Sequence, residues 1–255
     1  MRWLALGSLA LGLGCTDGEA TPTPTPTGDS GTTSTYVPQG NDVSLDRFPP
    51  VVIATIPPSG SVGVDVATDR LEVVFSKAMR DGSWSWVTTG LPTPAGDASY
   101  ASASVHVMEN VVLDADTTYL AWLNYDGFEN FVDIEGRAAV SYPFAFTTTS
   151  DPAELASVPA AVVRSSILAG AVNVDPETTR IEIDFSKAMT SGGILLEDDG
   201  ARTALPILDQ GLVDVDTVFI DVELVPEATY AVWITVTDVN GIDSAPWLLT
   251  FRTTP

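Results

Sequence analysis

The residues able to do chemistry are few in kind and mostly acidic. The chain has one His and one Cys, with 34 Asp and Glu against 11 Lys and Arg. A single His and a single Cys exclude a disulfide framework, a zinc-finger-type site and a Cys/His metal cluster. A Ser/His/Asp arrangement would have to use His106, which sits in Ser102-Ala103-Ser104-Val105-His106-Val107 and reads as a surface or packing residue. Ser76-Lys77 and Ser186-Lys187 have the composition of a Ser–Lys nucleophile pair. Adjacent strand residues point to opposite faces, so neither Lys reaches its own Ser, and the stretch reads as a strand end and turn. Acids lie close together at Asp114 and Asp116, Asp198 and Asp199, and Asp214 and Asp216, with no pair marked out for glycoside hydrolysis. Asp238-Val239-Asn240-Gly241-Ile242-Asp243 is the most suggestive run. Asp238, Asn240 and Asp243 offer the hard oxygens that Ca²⁺ prefers, although the spacing is not that of an EF-hand. Asn240-Gly241 is equally a hairpin-turn signal, so a solvated turn is the other reading. Trp84 and Trp86 fall on one strand face and could stack on a sugar if exposed. Their counterparts one repeat later, Ile194 and Leu196, favour a core face.

These residues sit on a chain of 255 residues, 45% hydrophobic and with a formal charge of −23. That apolar content can bury real cores. The charge repels phosphate backbones and anionic lipid headgroups, which argues against a nucleic-acid partner. Residues 1–14, MRWLALGSLALGLG, join a short positive start to an apolar run too short to span a bilayer, as a cleaved signal peptide does. Leu11-Gly12-Leu13-Gly14-Cys15 resembles a bacterial lipobox. Gly14 fits that pattern, whereas Gly12 and Leu13 depart from it. The resemblance implies lipidation of Cys15 and attachment to a membrane, probed against an ordinary secretory signal by whether Cys15 is acylated. Residues 15–47 contain TPTPTPT, GDSGTTST and PQGND, a composition that predicts a disordered tether.

The remainder is a tandem repeat. Residues 49–79 align without a gap to 159–189, with 14 of 31 positions identical, among them Phe75-Ser76-Lys77-Ala78-Met79 against Phe185-Ser186-Lys187-Ala188-Met189. The match resumes with Thr118, Tyr119 and Trp122 against Thr229, Tyr230 and Trp233. Two domains are therefore expected, over 48–150 and 151–255. Ile181-Glu182-Ile183-Asp184-Phe185 alternates apolar and acidic residues, and Tyr119–Tyr125 and Tyr230–Val236 read as further strands. Turn signals punctuate these runs and no amphipathic helical period stands out, so each domain reads as an all-β Greek-key sandwich. Tyr119 and Tyr230, each placed after a Leu-led turn, fit a tyrosine corner.

Each repeat is similar to the bacterial Ig-like domains of S-layer and other surface proteins. The residues that carry the resemblance are Pro57, Gly60 and Val64, the two Phe-Ser-Lys-Ala-Met runs, and the closing Phe144-Ala145-Phe146-Thr147-Thr148-Thr149 and Leu249-Thr250-Phe251-Arg252-Thr253-Thr254. It implies two tandem Ig-like/fibronectin-like β-sandwiches after the signal peptide and linker. Taken with the lipobox resemblance, it implies a non-catalytic cell-envelope lipoprotein, displaying both modules for adhesion, surface structure or assembly. Expected partners are a membrane, through the lipid anchor, and a protein or glycan at the envelope. Thr16 after Cys15 favours the outer membrane. The alternatives are a calcium-stabilised assembly component, and a hydrolase or protease inhibitor with a loop-borne site.

Overall fold

Alternation in the sequence becomes alternation of burial. In Arg70-Leu71-Glu72-Val73-Val74-Phe75 the side chains of Leu71, Val73 and Phe75 are buried and their neighbours are not. Arg180–Phe185 repeats the pattern with Ile181, Ile183 and Phe185. Each such buried side chain contributes about 1.5–3 kcal/mol relative to exposure. The computed structural model describes residues 43–88, 90–91, 98–198 and 204–255. Within them the chain forms β1 (Val52–Ile56), β2 (Arg70–Phe75), β3 (Trp86–Thr88), β4 (Ala98–Ser102), β5 (Val105–Glu109), β6 (Thr118–Leu123) and β7 (Tyr142–Thr147). There follow β8 (Val162–Ser165), β9 (Ala171–Val174), β10 (Arg180–Phe185), β11 (Met189–Asp198), β12 (Ile207–Leu212), β13 (Thr217–Val222), β14 (Thr229–Asp238) and β15 (Trp247–Thr253). The first seven strands form sheets ordered β1-β2-β5-β4 and β3-β6-β7. The last eight form sheets ordered β12-β13-β10-β8 and β11-β14-β15-β9. The fold is all-β, two β-sandwiches in tandem.

Both tyrosine corners are present. Tyr119 Oη accepts the Asp114 N–H at 2.6 Å and Tyr230 Oη accepts the Val225 N–H at 2.9 Å. Both rings are buried, packed on Phe146 and Phe251 at 5.2 and 5.1 Å. Two features differ from the sequence reading. The strand expected over Tyr119–Tyr125 stops at Leu123, where Asn124 turns into the left-handed region with φ 54°. Residues assigned to the tether also belong to the folded body, since Leu45–Arg47 form a 3₁₀ turn capped by Ser44.

A second 3₁₀ turn, Ala153–Ser157, precedes β8 as Leu45–Arg47 precedes β1. These lead-in turns explain why β7 is buried at every position and β15 at six of its seven. A strand with core on one face should alternate; one covered on both faces should not. The outer face of β7 at Ala145 is covered by Leu155 and Val158 from the second lead-in turn. Val43, Leu45 and Phe48, from the first, join the core of the second sandwich. Each sandwich thus has its last strand covered by the turn that leads into the other. Residues 38–255 accordingly make one compact unit.

Candidate functional site

The junction between the sandwiches is built from the most repeated residues in the chain, and its contacts come in mated pairs. Tyr142 Oη donates to the Val162 carbonyl at 3.0 Å, and Trp247 Nε1 donates to the Val52 carbonyl at 3.0 Å. Val162 is the repeat counterpart of Val52, and Trp247 that of Tyr142. Val52 packs in the core of its own sandwich while Val51 packs with the core of the other; Val162 and Ala161 do the same in reverse. Successive strand residues face opposite ways, so one extended pair serves two cores. Gly60 lies so close to Ser186 that a Cβ would fall 2.5 Å from its carbonyl oxygen, and Gly170 meets Ser76 in the same way at 2.8 Å. Both glycines have φ +87°, so neither position tolerates a side chain. Contact i to j with j to i is an isologous interface, here folded into one chain.

The Phe-Ser-Lys-Ala-Met run supplies the rest. Phe75 and Met79 are core residues. Ser76 Oγ accepts the Val51 N–H at 3.1 Å and Ser186 Oγ accepts the Ala161 N–H at 3.0 Å. Lys77 Nζ donates to the carbonyls of Asp46 and Phe48 at 2.9 and 2.8 Å, and lies 3.1 Å from Asp133 Oδ2. Lys187 Nζ donates to the carbonyls of Leu155, Ala156 and Val158 and lies 3.1 Å from Asp238 Oδ2. Each Lys therefore ties a lead-in turn to a buried aspartate, and neither Ser–Lys sequence forms a nucleophile pair.

The two aspartates are matched as well. Asp133 Oδ1 accepts from the N–H of Glu135 and of Arg137; Asp238 Oδ1 accepts from the N–H of Asn240 and of Ile242. Burial pushes both carboxyls up, but these backbone donors and the lysines outweigh it and hold both below the ordinary carboxylate range. Asp133 was not singled out in the sequence. Its signal is the shared Asp-x-x-Gly of Asp133–Gly136 and Asp238–Gly241.

The calcium candidates lie in this second loop. Asp238 engages Lys187 and two backbone N–H groups, and Asp243 Oδ1 accepts from Thr237 Oγ1 at 2.8 Å. A cation at Asp238 would have to displace Lys187. Among the described residues no three His, Cys, Asp or Glu side chains gather to hold a metal ion. Cys15, the lipidation candidate, lies outside the described residues.

The mated halves differ in the space beneath their lead-in turns. Beneath the second lead-in turn is a cavity of about 280 Å³, lined by Ala145, Leu155, Val158, Pro159 and Lys187 among others. The corresponding space at Asp46, Lys77 and Asp133 is about 80 Å³. The residue closing each turn is Phe48 in the first and Val158 in the second. Filling an apolar void with a side chain already used at the mated position should stabilise the fold. Val158→Phe is expected to raise the melting temperature by about 2–4 °C, read by calorimetry.

His106 is buried in packing, as one of the two sequence readings has it. Its ring meets Trp84, Trp86, Tyr100 and Phe131 at centroid distances of 5.2, 5.8, 5.0 and 5.1 Å. Neither ring nitrogen has a hydrogen-bond partner among the described residues. Burial lowers its pKa to about 4, so the imidazole is neutral at pH 7. Trp84 and Trp86 thus belong to the first core, as their aliphatic counterparts indicate, and not to a sugar platform.

Residues 46–148 match the family model of the bacterial Ig-like domain. The matched bacterial Ig-like segment begins at Asp46, whose carbonyl Lys77 holds, and takes in β1–β7. The second sandwich carries the same Phe-Ser-Lys-Ala-Met run, tyrosine corner and buried Asp. The family points to a bacterial surface or structural protein and is of a generally non-catalytic kind. Similar solved structures include a chimeric titin Z1Z2 carrying an exogenous decorin peptide, at 13% identity and TM-score 0.24, covering 81% of this chain and 96% of that one. Fibronectin(III)-like modules of Clostridium thermocellum CbhA are 11% identical, at TM-score 0.27, with 80% and 94% covered. No curated protein matches the chain.

Proposed function

We propose that this chain is a non-catalytic envelope lipoprotein, held through Cys15, whose two sandwiches act as one rigid display body for adhesion, surface structure or assembly. The observation that carries the reading is the mated junction. Its repeated side chains serve the joint between modules, with Lys77 and Lys187 on carbonyls and buried carboxylates and Ser76 and Ser186 on backbone N–H groups. Such a joint fixes the distance and angle at which the far end is presented. The Thr229 hydroxyl also donates to the Val43 carbonyl at 2.7 Å, which ties the residues before the first lead-in turn to β14. The net charge of −23 favours standing clear of anionic lipid, as a tethered body would.

Protease shaving of intact cells, with mass spectrometry for peptides from residues 48–255, tests the display. Release from intact cells is the expected result. Release only after outer-membrane permeabilisation would place the body in the periplasm and remove adhesion. Cys15→Ser is expected to move the protein from the membrane pellet to the soluble fraction; retention in the pellet would overturn the anchor.

A further inference from the structure

The first sandwich interrupts its strand where the second does not. Eleven positions separate Trp122 from Asp133, and five separate their counterparts Trp233 and Asp238. In the second sandwich β14 runs unbroken to Asp238. In the first, the extra residues leave the sheet after Leu123 as a tight hairpin. Tyr125 and Phe128 exchange both backbone hydrogen bonds, at 3.1 and 3.0 Å, across Asp126 and Gly127, whose φ values are 50° and 83°. Positive φ at both central residues is the turn that Asp-Gly favours in a two-residue hairpin. Directly paired residues project their side chains from the same face. Tyr125 and Phe128 therefore stand side by side, 45% and 61% exposed. Tyr125 also stacks on Trp122, with centroids 4.7 Å apart.

The hairpin is mounted rigidly. Asn124 is fully buried at its base. Its amide donates to the carbonyls of Phe131 and Ala139 and accepts the Phe131 N–H. Asn130 bonds Ser85 Oγ through both its backbone and its side chain. Two large rings are thus held in solvent by a support that would suit hidden ones. A preorganised aromatic pair avoids the ordering cost of binding.

We infer that the Tyr125–Phe128 hairpin is a docking point for a cationic segment of another protein, with Arg or Lys groups placed over the rings. Charge complementarity decides the class. Exposed Asp126 and Glu129 flank the rings on a chain of charge −23. Cations sit favourably over aromatic faces, and nearby carboxylates add to the attraction. The inference rests on the display reading, and it is tested apart from that reading because binding is measured in solution.

The probe is a short labelled peptide alternating arginine and serine, titrated into the full chain in detergent and followed by fluorescence polarisation. Its glutamine-for-arginine counterpart and a neutral oligosaccharide are run beside it. Saturable binding of the arginine peptide is expected, with Tyr125→Ala and Phe128→Ala each weakening it about tenfold at unchanged protein charge. Asp126→Asn should weaken it more than Asp214→Asn, an equal charge change elsewhere. Failure of the arginine peptide to bind, or equal binding by the parent and the alanine variants, would overturn the inference. So would binding of the neutral oligosaccharide or the glutamine peptide at comparable strength.

Discussion

Replacing Lys187 by Met is expected to lower the unfolding free energy by about 3–5 kcal/mol, measured by urea denaturation at pH 7. The Asp238 side chain is fully buried and Lys187 is its cationic partner at 3.1 Å. Without that cation a buried carboxylate keeps only its backbone donors, and the carbonyls of Leu155, Ala156 and Val158 lose the lysine as a donor. Removing both partners should cost less than the sum of the single changes, because the uncompensated charge goes with them. The pH dependence has a definite sign. Asp238 has its pKa depressed in the folded state, so the stability it confers is present above the unfolded carboxylate pKa and is lost as pH falls below it. The ion-pair role also separates from a calcium role. Asp238→Ala should destabilise equally in calcium and in chelator. A loss seen only with calcium present would instead make Asp238, Asn240 and Asp243 a calcium site.

The second large effect is acid sensitivity centred on His106. Unfolding exposes an imidazole of ordinary pKa near 6.5; folding holds it at about 4. The unfolded state therefore binds the proton first. Stability should be full above pH 6.5, fall as pH drops toward 4, and lose nothing further from this group below that. The total is about 3 kcal/mol, since each pKa unit corresponds to roughly 1.4 kcal/mol. His106→Leu, which keeps the aromatic cage filled, should flatten urea midpoints between pH 6.5 and 4. It should leave the further fall at lower pH, to which Asp133 and Asp238 contribute. An unchanged slope in that variant would assign the acid sensitivity elsewhere.

Much of the fold could be read from residue order. Strand alternation, both tyrosine corners and the duplication are local or periodic features, and the structure carries all three. The junction was not legible in the same way. Lys77 was visible as part of a repeated motif, but its partner Asp133 lies 56 positions away, beyond an insertion that shifts the repeat register. Asp238 drew attention for its oxygens; that a lysine already engages one of them depends on a contact spanning 51 positions. The first lead-in turn lay hidden in tether-like composition, because Leu45 and Phe48 gain their core only from the other sandwich. His106 gave no signal beyond its solitude, since its cage is assembled from β3, β4, β5 and the segment around Phe131.

Paired, crossed contacts hold the two sandwiches together as one body. Residual dipolar couplings on the Cys15→Ser chain test this most directly. A single alignment tensor should fit the amides of β1–β7 and β8–β15 together. Two tensors of different magnitude would mean that the sandwiches reorient independently and that the junction does not hold.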